Sequence, residues 1–366
     1  MSNVNQVQNL QLQHIARAGE LQFADIECGT SQHFQATQYS ATTDSTDQTN
    51  AAGTVQADRR YLVASITKPL VAMGVLKLAA EGRISLSERM GAVLPEFSKA
   101  VHRRITVRHL LTHTSGFPDM LPNNKELRAA HASLGEFQQH AASAELEFIT
   151  GSDCRYSSLG FLILGAMIEQ ITSLSAGEYL QQEFFGPLNM TNTWLGLTDG
   201  QADEVVPTLM PCLLPIWQPD AENWGWNSRY WRMLGAPWGG MISSSADLGK
   251  FARMLLSDGV SETGRRVLST AVIQASFNNQ LEAVTREPGY VGSLRPWGFG
   301  WRRQWSAHHA SFGDFVSAKT VGHWGATGTL MWIDPMADNY AVFLTTTPYE
   351  QSQSVIQRMS NFVSVR

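Results

Sequence analysis

The sequence predicts an α+β fold in which one sheet is assembled from both ends of the chain and a mainly helical lobe is inserted between them. Three observations predict it. Short β-rich runs lie near the N-terminus and again near the C-terminus, while the middle of the chain carries helical periodicity and capping signals. Apolar residues make up 43% of the chain and charged ones 16%, below the usual quarter, so there is side-chain material for a large core. At 366 residues, and about 150 residues per domain, the length suggests two lobes. We place residues 1–64 and 285–366 in the sheet lobe and residues 65–284 in the helical lobe.

The elements follow in order. From Val7 to Ala18, Leu10, Leu12, Ile15 and Ala16 recur at helical spacing, and Leu21 to Ile26 alternates as a strand does. The polar stretch 29–56 holds a second strand around His33 to Tyr39 and a long turn from Thr42 to Gly53. From Ser65 apolar residues cover nearly every face up to Gly82, which reads as a buried helix with a glycine stop. Further helices are expected at Ser85 and Ser175, each with Glu three residues on, and near Ser244, with Asp247 three on. Strands return at Trp297 to Trp301, Thr329 to Ile333 and Tyr340 to Thr346, and an amphipathic helix, Gln351 to Val365, closes the chain.

Composition excludes several functions. A formal charge of −5 disfavours a nucleic-acid partner. Cys28, Cys154 and Cys212 are odd in number and far apart, so neither a disulfide framework nor a zinc knuckle is expected. The first 58 residues hold one basic residue, Arg17, and no apolar signal core, so a cytoplasmic protein is expected. No membrane span is expected, since the longest uncharged apolar stretches are too short or broken by proline. His109 and His113 stand four apart but lack an H-E-x-x-H glutamate, so no metal or other cofactor is expected. The glycines at 322, 325 and 328 lack the Gly-Lys-Ser/Thr of a phosphate loop. The oligomeric state is not legible.

Ser65 and Lys68 form an S-x-x-K. Three residues apart on a helix, an amine reaches a hydroxyl on the same face. A serine needs a base to become a nucleophile, and a lysine serves only if desolvation makes its amine neutral. Taken alone, the tetrapeptide reads rather as a capping serine and a lysine that reaches solvent.

Three further stretches change that reading: Leu110-Leu-Thr-His-Thr-Ser-Gly, read as the end of a helix capped by Thr106 and running to Gly116; Tyr156-Ser157-Ser158 before an apolar helix; and Gly322-His323-Trp324-Gly325-Ala326-Thr327-Gly328 before a strand. In this order, with the segment from Gly240 to Phe251, they resemble the serine β-lactamase-like superfamily, with its class C enzymes, penicillin-binding proteins and family VIII esterases. The resemblance runs from about Arg60 to the last helix. It implies a β-lactamase-like fold, an antiparallel sheet flanked by terminal helices plus a mostly helical lobe, with the active site at their junction.

The resemblance also implies roles. Ser65 would be the nucleophile, Lys68 its proton acceptor and Tyr156 a proton relay whose phenol is lowered by Lys68. His323 would stand where the family usually has a lysine, so the site would lack a permanent cation and a carboxylate anchor. Ser158 would replace an asparagine amide, and Trp324, Gly325 and Ala326 would line the substrate, the Ala326 and Ser65 amides forming an oxyanion hole. Trp217, Trp224, Trp226, Trp231 and Trp238, with Tyr230, fit either an aromatic substrate wall or core packing. A serine hydrolase of small esters is therefore expected, with a D-amino-acid peptidase, a β-lactam hydrolase, an acyltransferase and a non-hydrolysing binding protein as alternatives.

Overall fold

The computed structural model describes residues 3–41, 59–215, 218, 221–282, 284, 295–305 and 312–366. The polar turn expected at 42–53, and Trp217, lie outside them. Nine strands form among the described residues: β1 (Phe23–Gly29), β2 (Phe34–Ser40), β3 (Tyr61–Leu62), β4 (Trp194–Leu195), β5 (Met241–Ser243), β6 (Arg302–Arg303), β7 (Val321–Gly325), β8 (Thr329–Asp334) and β9 (Asn339–Thr345). The main sheet runs β2-β1-β9-β8-β7-β6, antiparallel at every pairing. β1 and β9 come from opposite ends of the chain and pair from Ala24↔Thr345 to Gly29↔Tyr340. A small sheet, β3-β5-β4, lies within the part of the chain that carries most of the helices.

Strand alternation makes two cores. Met331 and Ile333 of β8 pack with the helices of the middle of the chain, whereas Leu330 and Trp332 face the helices Asn3–Ala18 and Tyr349–Ser364. Arg253, on the helix Ser245–Leu256, ties the helical region to the sheet: its guanidinium bonds Glu27 of β1 at 2.6 Å, and the Tyr340 hydroxyl of β9 donates to the same carboxylate at 2.7 Å. No single helix among the described residues is long and apolar enough to cross a membrane. The apolar helix Ser158–Thr172 and its successor pass only as a pair bent by 75°, and most of the former is buried in the core.

Four expectations are corrected. Ser85 and Glu88 do make a local turn, the Ser85 amide donating to Glu88 Oε2 at 3.2 Å, but no helix starts there. The Leu86 and Glu88 carbonyls that would propagate it accept instead from the Arg108 and Val107 amides. At Ser175 the full capping box forms, but near Ser244 only half of it does, because Asp247 accepts from Asn192, Thr193 and Lys250 rather than from the cap. Trp297 to Trp301 is not a strand: Phe299 and Gly300 donate their amides to Ser276 and Leu111, and Gly300 takes φ +75°. Thr106 caps a helix that stops at Leu111 rather than at Gly116, since His113 turns left-handed at φ +58°.

Candidate active site

Between Tyr61 and Leu76 every residue is buried except Ser65, which is partly exposed. Ser65 sits in a 3-10 turn, Ala64–Ile66, and the helix expected from Ser65 begins only at Thr67, running to Ala80. That start leaves Pro69 in the first turn, where amides lack partners anyway. Ala64 holds a left-handed φ of +47°, which costs a residue with a Cβ about 1 kcal/mol or more.

The turn is gripped from two sides. Thr67 Oγ1 donates to the Ala64 carbonyl at 2.6 Å and accepts the Met241 amide at 3.1 Å, joining it to β5. Across from the main sheet, Thr327 Oγ1 donates to the Leu62 carbonyl at 2.6 Å and Thr329 Oγ1 to the Val63 carbonyl at 3.0 Å. Gly325 permits this approach, because a Cβ there would lie 2.3 Å from the Val63 carbonyl oxygen. The backbone amides of Ser65 and Ala326 donate to no backbone carbonyl among the described residues.

Lys68 is fully buried, and its Nζ donates to Ser65 Oγ at 3.1 Å and to the Trp238 carbonyl at 2.6 Å. Burial lowers the amine from its ordinary 10.5 to about 7, with Asp119 opposing and Arg302 adding to the shift. The Tyr156 hydroxyl donates to Ser65 Oγ at 2.8 Å, and its ring lies 4.6 Å from Lys68 Nζ. Burial raises this phenol well above its ordinary value, against the opposing pull of Arg302. The expectation that Lys68 lowers the phenol therefore fails: desolvation outweighs the neighbouring cations, and it pushes the amine and the phenol in opposite directions.

Tyr156 is carried into place by the loop before it and the helix after it. Ser157 caps the helix Ser158–Thr172, its Oγ accepting the Gly160 amide at 3.1 Å. Ser158 is buried at the first position, where its amide donates to Asp119 Oδ1 at 2.9 Å. His109, the expected neighbour of His113, faces elsewhere and completes the Thr106 capping box with its Nδ1.

His323 lies within β7, so the glycine-bracketed segment forms a strand and its hairpin turn rather than a loop preceding a strand. Its Nδ1–H donates to the Trp324 carbonyl at 2.7 Å, which leaves the lone pair on Nε2, a buried nitrogen with no partner. Burial first, then the Arg302 and Lys68 charges, hold the imidazole well below its usual value, so it is neutral. Trp324 stacks on Tyr349 at 4.9 Å and packs against the second core. Trp324 stays partly exposed, with the Arg302 guanidinium 4.8 Å over its ring. Ala326 is fixed by its carbonyl, which accepts the Tyr349 amide at 3.0 Å.

Two residues at the site carried no signal in the sequence. Arg302 of β6 pairs with Gly322 across the sheet, and its guanidinium stands 5.0 Å from the Tyr156 ring and 4.8 Å from those of Trp297 and Trp324. No carboxylate among the described residues forms an ion pair with it, and its Nε is buried without a partner. The expectation that the site lacks a permanent cation is thus overturned; the charge sits one strand away from His323. Trp297 is the other, packed at 4.4 Å against His113. Of the two readings of the tryptophans, core packing fits Trp226, Trp231 and Trp238, which are buried in the main cluster, and Trp238 meets Lys68 through its carbonyl.

A partly exposed serine hydroxyl receiving hydrogen bonds from a buried, near-neutral amine and a protonated phenol, where a helical region meets an antiparallel sheet, defines a serine hydrolase-like site. The family description Beta-lactamase matches residues 12–361, and the chain belongs to that family. It is similar to penicillin-binding protein 4 of Amycolatopsis lactamdurans, 27% identical over 75% of this chain and 68% of that protein. Protein flp of Staphylococcus aureus (strain COL) is 26% identical over 54% of this chain, and the match spans only 39% of flp. Among solved structures, EstCE1, described as a hydrolase with promiscuous acyltransferase activity, superposes with a TM-score of 0.74 at 18% identity, covering 99% of this chain and 100% of that one.

Proposed function

We propose that the protein hydrolyses small esters through an acyl-enzyme on Ser65. The observation that carries this reading is the double hydrogen bond to Ser65 Oγ, from Lys68 at 3.1 Å and Tyr156 at 2.8 Å, between groups whose proton affinities are driven apart. Neutral Lys68 takes the Ser65 proton as Oγ bonds the ester carbonyl carbon. The Ser65 and Ala326 amides receive the oxyanion, an effect worth about 3 kcal/mol per donor in comparable sites. Collapse breaks the carbon–oxygen bond, and the leaving alkoxide takes the Tyr156 proton, which Lys68 replaces. A water then gives its proton back along the same path, attacks the acyl carbon and frees Ser65.

Ser158 in place of an amide supports esters over acyl-amides, since a hydroxyl offers fewer bonds to an amide side chain. A second reading, an amidase or peptidase for substrates bearing a carboxylate, is favoured by one observation: the unpaired Arg302 guanidinium beside Tyr156.

The test is hydrolysis of short-chain p-nitrophenyl esters, a cephalosporin and a D-alanyl dipeptide by wild type and Ser65→Ala. Ester turnover should fall about ten-thousand-fold or more in the variant, and a fluorophosphonate should add to the wild-type mass alone. Rapid cephalosporin or dipeptide turnover with negligible esterase activity would establish the second reading. A folded protein giving no Ser65-dependent adduct or turnover would overturn both.

A further inference from the structure

Tyr156 is held in place by its neighbours. The Arg155 amide donates to the His113 carbonyl at 3.0 Å, and the Ser157 amide donates to His113 Nδ1 at 3.0 Å. One residue thus binds the amides on both sides of the phenol. Its ring lies 4.9 Å from the Tyr156 ring at 37°, backed by Trp297 at 4.4 Å and Phe161 at 5.5 Å. His113 reaches this position through a left-handed backbone, φ +58°, a conformation that disfavours most side chains. The imidazole is 1% exposed. Burial, then the Lys68 and Arg302 charges, keep it neutral and therefore able to accept. With Nδ1 accepting, the proton sits on Nε2, which has no partner. The ring does not bond Ser65, Lys68 or the Tyr156 hydroxyl.

We propose that His113 is a positioning residue: by accepting at its carbonyl and at Nδ1 it fixes the Tyr156 phenol on Ser65 Oγ, and it takes no part in proton transfer itself. The proposal rests on the reading of Tyr156 as the proton-transfer group. A strained backbone that delivers an imidazole to a neighbouring amide, rather than to solvent or to the reacting atoms, is accounted for by this role.

The experiment is a double-mutant cycle on p-nitrophenyl ester hydrolysis, with His113→Gly and His113→Asn made in wild type and in Tyr156→Phe. Glycine suits the left-handed backbone, keeps the carbonyl and removes the Nδ1 acceptor; asparagine suits it too and returns an acceptor oxygen near the position of Nδ1. His113→Gly should lower kcat about 100-fold, the loss typical of a small misplacement of a reacting group, with KM changed less than threefold. His113→Asn should recover kcat to within about fivefold of wild type. In Tyr156→Phe neither substitution should lower kcat further, because the group being positioned is gone. If His113→Gly does not fold, the small His113→Asn loss, present beside Tyr156 and absent beside phenylalanine, carries the test. A multiplicative loss in the Tyr156→Phe background would overturn the positioning role while leaving the Ser65 reading intact. Unchanged kcat in Tyr156→Phe alone would overturn the role assigned to Tyr156, and the proposal with it.

Discussion

The two hydroxyls that meet at the site are held by opposite means. Ser65 stands on a strained turn whose carbonyls, at Leu62, Val63 and Ala64, are each bound by a threonine hydroxyl. Tyr156 stands in a segment whose amides are bound by a neighbouring loop, through His113 and Asp119. The nucleophile is clamped by the sheet and the small sheet together, across the junction of the two regions, whereas the amides beside the phenol are fastened within the helical region, its ring meeting Arg302 of β6 at 5.0 Å. Damage to the β7–β8 hairpin should therefore reach Ser65 first, and damage to the 113–119 loop should reach Tyr156 first.

The largest effect that would break this contrast is at the shared partner, Lys68. Lys68→Met should lower kcat/KM about a thousand-fold or more, measured by steady-state ester hydrolysis. In wild type the amine must be neutral to act, so kcat/KM should rise with pH through about 7 and flatten above it. The sign for stability is the same. The folded amine is depressed below its unfolded value, so between about 7 and 10.5 the unfolded chain binds the extra proton and stability grows as pH rises. The gain in Tm on Lys68→Met should accordingly be larger at pH 6 than at pH 9. A flat activity profile between pH 6 and 8 would remove Lys68 from the role of base.

Next comes Gly325→Ala, which places a methyl 2.3 Å from the Val63 carbonyl, a backbone atom held in a strained turn. We expect the hairpin to withdraw and kcat to fall about 100-fold, with a loss of stability of about 1–3 kcal/mol, the range for overpacking, by chemical denaturation. Unchanged kcat with lowered stability would separate the clamp from the chemistry. The smallest effect sharpens the contrast: Thr329→Val removes one hydroxyl bond to Val63 and should cost about 1 kcal/mol and less than tenfold in kcat. Ester burst kinetics should show the loss as slower acylation.

How much of this was legible depends on the range of the contacts. Ser65 and Lys68 are three residues apart, so one helical turn brings them together, and Tyr156 and His323 followed from the resemblance. Arg302 reaches the site only because β6 pairs with β7, and Arg302 opposite Gly322 is a register that no local pattern encodes. The helix expected at Ser85 and the strand expected at Trp297 fail to form for one reason. Their local signals are present, but distant partners capture the carbonyls or amides that regular structure needed. The tryptophans were ambiguous for a related reason: a ring that packs and a ring that binds have the same composition, and only neighbours such as Arg128, 4.0 Å over Trp231, distinguish them.

The complete burial of Lys68 has a chemical corollary. An unprotonated amine at neutral pH is prey to aldehydes, to carbon dioxide and to any activated acyl donor, all of which ordinary surface lysines evade by staying charged. Among the described residues from Tyr61 to Leu76 the partly exposed one is Ser65, the hydroxyl that the amine bonds. An electrophile that enters on that side meets the serine before the lysine, so burial, which sharpens the base, also shelters it there from self-inflicted modification.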